Sequence, residues 1–365
     1  MSWPYHAPWW LPGGQAQTIC SALWARTHTQ PEPLWRRERW ETPDQDFIDV
    51  DWLADSNSRA SPPAGDDRSS GPNDHRVSRA SEQSHVLCVL FHGLEGSSSS
   101  HYAKAWADQA RRWGWRLAVP HFRGCSGETN LAPRAYHSGD FEEVDWILRR
   151  MRTLHAGRLL AVGVSLGGNA LMRWAQEAGE QACRAVDAVA SVGSPLDLMA
   201  SGHAIGRGFN RLVYTPMFLR TMKPRALAKL AQFPGLFDRE ALLRVRTLYE
   251  FDNLFTAPLH GFRDTPDYWA RASALPGLPG VRVPALLVNA RNDPFIPAHS
   301  LPRPEQVSAS VTLWQPPHGG HVGFAQGAWP GHVRGLPAQV GAWLLQAAGV
   351  AQAAPEPETW EVVHG

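Results

Sequence analysis

The run from Arg158 to Trp174, Arg-Leu-Leu-Ala-Val-Gly-Val-Ser-Leu-Gly-Gly-Asn-Ala-Leu-Met-Arg-Trp, constrains the fold more than any other stretch. Leu159 to Val164 reads as a buried strand, Ser165 as the centre of one abrupt turn, and the residues to about Gly179 as a helix. A strand that reverses into a helix so quickly brings backbone against backbone. Gly163 and Gly167, on either side of the serine, omit the Cβ atoms that would collide there. The turn lifts the Ser165 hydroxyl above the sheet, and the helix aims its free N–H groups and positive dipole end at it. A Gly-x-Ser-x-Gly pentapeptide alone occurs in ordinary turns; the strand before it and the helix after it give this one its meaning.

The flanking sequence repeats the strand-helix rhythm. His85 to Phe91 is a continuous apolar run, as in a strand buried on both faces of a parallel sheet. It leads through His92-Gly-Leu-Glu-Gly96 and a Ser-rich loop to a helix from about His101 to Trp113, closed by Gly114. A strand at Trp115 to Pro120 follows, then Asp140-x-x-Glu143 in capping-box spacing before a helix with Phe141, Val144, Ile147, Met151 and Leu154 on one face. Beyond the serine, Ala185 to Val192, Pro284 to Asn289 and Val311 to Trp314 read as strands and Pro337 to Ala348 as a closing helix. Between Leu196 and Ala274 the strands stop. Helical, basic and aromatic segments (Phe209 to Met222, Arg225 to Ala231, Arg239 to Tyr249, Tyr268 to Ala274) suggest a lid over the strand ends, spanning 196–274. Upstream, an irregular Pro/Gly-punctuated arm ends in a short apolar run near Ile19 to Trp24. Leu34 to Trp40 and Phe47 to Leu53 read as a hairpin, and the alternation of Ile48, Val50 and Trp52 with Asp49 and Asp51 predicts one wet face. Asp55 to Ser84 carries almost no large apolar side chain, which predicts a disordered inserted loop, and 349–365 reads as a loose tail. The whole, 1–365, is expected to form one α/β domain with a mostly parallel, doubly wound sheet.

A serine hydroxyl needs a base to become a nucleophile, and the base needs an orienting carboxylate. Asp293 sits just past the strand 284–289 and His321 just past the strand 311–314, at the edge where ligands gather in open α/β sheets. Asp197 also follows a strand, and Asp252, Asp264 and Asp267 lie in the expected lid. Asp293 is preferred for its place at a strand end before the histidine loop. His318 stands beside His321, and in isolation either imidazole would serve as base. The oxyanion of a tetrahedral intermediate would be met by the backbone N–H of Leu166, next to the serine, and by that of Leu94 in the loop after the third strand. His92 reads as a brace of that loop. A metal site at His318-x-x-His321 would require a helix, and Gly319-Gly320 argues for a loop instead, so neither metal nor cofactor is expected.

Charges nearly cancel, at a formal +1, which signals neither a nucleic-acid nor an acidic-lipid partner. The four scattered cysteines suggest neither disulfides nor zinc. The start lacks a basic and apolar leader, and no apolar run approaches the roughly 20 residues of a membrane span. A cytoplasmic protein is the expectation. The 17 tryptophans suit core and lining roles, and exposed ones would favour peripheral contact with a lipid interface. Oligomeric state is not legible.

The chain resembles the YheT-like branch of the alpha/beta-hydrolase superfamily over nearly its whole length. The resemblance rests on Trp10-Leu-Pro-Gly-Gly14 with Gln17-Thr18, His92-Gly-Leu-Glu-Gly96, and His121-Phe-Arg-Gly-Cys-Ser-Gly-Glu128. It continues in Tyr136-His-Ser-Gly139, Gly163-Val-Ser-Leu-Gly-Gly-Asn169, Glu250-Phe-Asp252 and Thr256-Ala-Pro-Leu-His-Gly-Phe262. Asn292-Asp-Pro-Phe295 and His318-Gly-Gly-His-Val-Gly-Phe324 complete it. The insertion at 55–84 and Gln15-Ala16, where the pattern would have His-Leu, depart from it. The resemblance implies an alpha/beta-hydrolase fold with a helical lid, and Ser165, Asp293 and His321 at the triad positions. It implies a serine hydrolase acting on carboxylic esters, short-chain or lipid-like. Acyl transfer, or thioester or amide hydrolysis, would use the same acyl-enzyme, and a hydrolase-shaped binding module would normally have lost a triad member.

Overall fold

A computed structural model describes residues 4–54 and 85–350. The inserted loop expected at 55–84 lies outside the described residues, as does the expected tail beyond Val350. Among the described residues eight strands form one sheet: β1 (Trp35–Glu41), β2 (Phe47–Leu53), β3 (Val86–Phe91), β4 (Arg116–Pro120), β5 (Arg158–Val164), β6 (Ala188–Val192), β7 (Ala285–Val288) and β8 (Val311–Trp314). Their order is β1-β2-β4-β3-β5-β6-β7-β8. The β1–β2 and β2–β4 pairs are antiparallel, and every pair from β4 to β8 is parallel. This is the alpha/beta hydrolase fold, a mostly parallel sheet flanked by helices.

Twelve helices are described: α1 (Gly13–Leu23), α2 (His101–Trp113), α3 (Phe141–Leu154), α4 (Leu166–Ala178), α5 (Ala182–Ala185), α6 (Leu198–Ile205), α7 (Gly208–Gln232), α8 (Arg239–Arg244), α9 (Leu248–Phe251), α10 (Ala257–Leu259), α11 (Thr265–Ala272) and α12 (Gly335–Ala347). Strand β5 shows why the layers form. Leu159 and Ala161 pack on one side with Val144, Ile147 and Met151 of α3 and Leu171 of α4. Leu160, Val162 and Val164 pack on the other with Trp106 of α2 and Leu344 of α12. Period-two alternation thus buries both faces of the central strand.

Helices α6–α11, with a π-helical turn at Asp252–Thr256, make one long insertion after β6. The segments expected as separate helices on either side of Lys223 and Pro224 are one continuous α7, which contains both Pro216 and Pro224. Each proline removes one backbone donor, but the buried Tyr214, Leu219, Met222 and Ala226 keep the two halves in line.

Five further expectations are corrected. The irregular arm before Ile19 contains α1 instead, because Gly14 packs against the Asn292 carbonyl with no room for a Cβ. The stretch 182–185 is helical, so β6 starts at Ala188. The capping box on α3 does not form. Asp140 instead accepts from Arg134 Nη2 at 2.6 Å, and Glu143 accepts from Arg123 Nε. Leu148 rather than Leu154 completes the buried face of α3. Finally, β2 has no wet face. Asp49 and Asp51 are buried, and each takes a two-point arginine clamp, from Arg39 and Arg37 at 2.8–2.9 Å. The aspartates remain charged in the interior because bidentate partners replace their water.

Asp46, in the β1–β2 turn, ties this hairpin to the loop beyond β4. Its carboxylate accepts from Leu131 N, Asn130 Nδ2, Arg123 Nη1, Phe47 N and Ala132 N at 2.6–3.0 Å. Burial pushes its pKa up, but these donors together outweigh burial and hold it down at about 2. A folded pKa below the unfolded one means stability that is full above about pH 4 and lost as pH falls toward 2, worth about 2 kcal/mol. Urea midpoints at pH 7 and at pH 3 should fall further for the wild type than for Asp46→Asn. Equal falls would mean that the cluster does not carry acid lability.

Candidate active site

Ser165 stands between β5 and α4 at φ 52°, ψ −120°, a left-handed backbone that a side chain adopts only when its surroundings force it. Several contacts supply that force. Its N–H donates to Val192 O at 2.8 Å, and its carbonyl accepts from Gly168 N and Asn169 N at 3.0 and 3.2 Å. A Cβ at Gly163 would lie 2.5 Å from Gly167 O and from Gly168 Cα, and one at Gly167 would lie 2.5 Å from His92 O. The glycines are therefore demanded by the approach of strand, helix and neighbouring loop.

The three polar residues expected from the sequence are brought together. The Ser165 hydroxyl is 3.0 Å from His321 Nε2, and His321 Nδ1 is 2.8 Å from Asp293 Oδ2. With the imidazole proton on Nδ1, the ring donates to the carboxylate and accepts from the serine. The other carboxylate oxygen, Oδ1, accepts from Phe295 N at 2.8 Å, and the Phe295 ring lies 4.4 Å from the imidazole centroid. The rivals are employed elsewhere. Asp197 caps α6 by accepting from Ala200 N, and Asp264 caps α11. His318 Nδ1, on an exposed ring, lies 3.5 Å from Asn292 Nδ2, and the imidazole bonded to the serine is that of His321.

The loop after β3 leaves one backbone donor open. Gly93 N donates to Tyr102 Oη at 2.9 Å, Glu95 N to Tyr136 Oη at 3.0 Å, and Gly96 N to Gly93 O at 2.9 Å. Among the described residues the Leu94 N–H has no acceptor, nor has the Leu166 N–H at the start of α4. A Cβ on Gly93 would sit 3.1 Å from Ser165 Cβ, so this loop abuts the serine. His92 braces it as expected: Nε2 accepts from Phe122 N at 3.0 Å and Nδ1 faces Gly93 O at 2.8 Å. Burial, followed by neighbouring His121, drives the His92 pKa down to about 3, so the ring is a neutral prop.

Two parts of the site were not assigned a role from the sequence. The first is α1, which holds the His321 loop. Thr18 Oγ1 accepts from His321 N at 2.8 Å, and Gln17 Oε1 accepts from Gly319 N and Asn292 Nδ2 at 2.8 and 2.9 Å. A Cβ at Gly320, where φ is 61°, would lie 2.9 Å from Thr18 N. The pair Gln17-Thr18 was visible as a motif, but nothing along the chain says that it lies against residue 321. The second is Glu95, held at φ 59°. Its Oε1 accepts from Tyr136 Oη at 2.9 Å and from Arg225 Nη1 of α7 at 3.0 Å. The helical insertion is thus tied directly to the loop that carries the Leu94 N–H.

Ser165, His321, Leu94 and Leu166 open onto a cavity walled by the insertion through Leu198, Ile205, Phe218, Met222, Phe251 and Phe255. Polar groups enter it at a few points. Lys229 donates to Asn130 O and Ala132 O, and burial lowers its pKa to about 8. Asp252 accepts from Thr256 Oγ1 and Trp269 Nε1 at 2.7 and 2.8 Å, and burial raises its pKa to about 6. A mostly apolar chamber with an activated hydroxyl and two free N–H donors at its floor can bind an acyl chain and attack its carbonyl carbon.

Residues 87–328 match the family model described as the alpha/beta hydrolase fold. The chain is 37% identical over 331 residues to "Putative esterase YheT" of Escherichia coli, covering 90% of this chain and 89% of that protein. It is 27% identical over 328 residues to mouse "Phospholipase ABHD3", covering 89% of this chain and 74% of that one. It is also 27% identical over 263 residues to the "Monoacylglycerol lipase" of Saccharomyces cerevisiae, covering 69% and 57%.

Proposed function

The chain belongs to the alpha/beta hydrolase family, among the esterase- and lipase-like relatives of YheT, and from that premise we propose that it hydrolyses carboxylic esters through an acyl-enzyme on Ser165. The observation that carries the reading is the unbroken line from Ser165 Oγ through His321 to Asp293, at 3.0 and 2.8 Å. His321 Nε2 takes the hydroxyl proton as Oγ attacks the ester carbonyl, and Asp293 steadies the imidazolium. The Leu94 and Leu166 N–H groups receive the developing oxyanion, each worth about 3–4 kcal/mol in the transition state. His321 then returns the proton to the departing alkoxide oxygen. A water, deprotonated by the same nitrogen, releases the acid and restores the serine.

The helices 198–272 act as a lid whose inner face forms an acyl pocket, and the apolar lining favours acyl chains longer than acetyl. The phospholipase and lipase names among the relatives agree with lipid-like esters. A panel of p-nitrophenyl esters of increasing chain length tests this. The ratio kcat/KM should rise with chain length through the medium range; a steady fall from acetate onward would remove the acyl-pocket assignment.

Arg225 is a positioning residue in this scheme, since it fixes Glu95 beside the Leu94 donor. Arg225→Ala is expected to lower kcat roughly tenfold, a fraction of the loss on deleting an oxyanion donor, with little change in KM. Arg225→Lys should recover part of it. A rise in KM at constant kcat in initial-rate measurements would mean that the guanidinium binds substrate instead.

A further inference from the structure

The outer side of α7 is built unlike a solvent-facing helix. Phe209, Leu212, Val213, Pro216 and Met217 recur at the helical period on the exposed side. Phe209, Leu212, Val213 and Met217 are 49%, 77%, 38% and 46% exposed. The opposite side is occupied with the protein body. Asn210 Nδ2 donates to Pro294 O at 2.6 Å, Tyr214 Oη to Gln15 Oε1 at 2.7 Å, and Thr215 Oγ1 to Ile205 O at 3.0 Å. Phe218 and Met222 then turn into the cavity. The apolar stripe is therefore fixed in place, and among the described residues nothing covers it.

Charge selects what covers it. Helix α7 contains Arg211, Arg220, Lys223, Arg225 and Lys229 and no Asp or Glu. Arg207 precedes the first residue of the stripe and Arg220 follows its last by one turn; both are exposed, and among the described residues neither has an acidic partner. A second copy of the chain meeting this face about a two-fold axis would set arginine against arginine around the apolar contact. An apolar stripe shouldered by unpaired arginines instead suits the boundary between anionic headgroups and acyl chains, with the stripe below the phosphates and the arginines among them. A second exposed aromatic group lies beyond the N-terminus of α1: Trp9 is 93% exposed, and Trp329, 62% exposed, packs on Trp10 at 5.3 Å. Helix α1 links that group to α7, because Gln15 bonds both Asn210 and Tyr214. Tryptophan indoles favour the same interfacial depth.

We infer that the outer face of α7 docks the protein on anionic phospholipid surfaces, seating Leu212 and Met217 in the acyl boundary and Arg207 and Arg220 on the phosphates. The inference does not depend on the reaction at Ser165. It is tested with the full chain by flotation on vesicles of phosphatidylglycerol mixed with phosphatidylcholine, and on phosphatidylcholine alone. The wild type should bind the anionic vesicles, and binding should weaken as salt rises. A Leu212→Asp/Met217→Asp variant should lose roughly tenfold or more in partitioning, and Arg207→Glu/Arg220→Glu should in addition flatten the salt dependence. Both variants should cleave a water-soluble short-chain ester as the wild type does, which reports their folding, and Ser165→Ala should float like the wild type. Failure of the wild type to float, or equal flotation of wild type and variants, would overturn the proposal. So would sedimentation as a dimer that the Leu212→Asp/Met217→Asp variant dissociates.

Discussion

Ser165→Ala is expected to lower ester hydrolysis by roughly four to six orders of magnitude, to a residue supplied by binding and the two main-chain donors alone. The size of the effect follows from the proposed role: without Oγ no acyl-enzyme could form, and His321 would have no hydroxyl to deprotonate. The substitution removes one oxygen at a half-buried position and leaves the backbone bonds of the turn, to Val192 O and from Gly168 N and Asn169 N, in place. Folding should therefore be unaffected. The measurement is kcat/KM on a soluble p-nitrophenyl ester, with thermal unfolding as the control. Activity above about one per cent of wild type, in a preparation free of other esterases, would not fit covalent catalysis at this residue.

Asp293→Asn should be the second most damaging change, roughly ten-thousandfold in kcat with KM little altered. The local bonds say why the amide cannot stand in for the carboxylate. Oδ1 of Asp293 accepts from Phe295 N at 2.8 Å, so the asparagine will keep its oxygen on that side. Its NH2 then faces His321 Nδ1, where the acid now accepts at 2.8 Å. A donor there forces the imidazole proton onto Nε2, the nitrogen that must accept from Ser165. The variant should fold normally, and steady-state kinetics should show the loss in kcat. A loss confined to KM would contradict an orienting role.

Much of the site was legible because its chemistry is concentrated at strand ends. Ser165, Asp293 and His321 each follow an apolar run short enough to be a strand of a parallel sheet, and such runs deliver their C-terminal ends to one rim. The misreadings have local physical reasons. The glycines 13 and 14 look like chain breakers, yet Gly14 serves a close approach to the Asn292 carbonyl at the start of α1. Consequently Gln17 and Thr18, which hold the His321 loop, appeared as a motif without a role. Asp49 and Asp51 alternate with apolar neighbours as if one face were wet, and only the pairing of β1 with β2 reveals that Arg39 and Arg37 lie opposite them. Asp140 and Glu143 have capping-box spacing, but the buried Arg123 and the adjacent Arg134 compete for the same carboxylates and win, a charged hydrogen bond being the stronger. The link from Arg225 to Glu95 spans 130 residues and could be seen only in three dimensions.

The most direct test of a nucleophilic Ser165 is to treat the native protein with a fluorophosphonate, digest it, and map the adduct by mass spectrometry. The account predicts one phosphonyl group, on the Ser165 side chain, with labelling abolished in Ser165→Ala and strongly slowed in Asp293→Asn. An adduct on another residue, or labelling of Ser165→Ala at the wild-type rate, would contradict it.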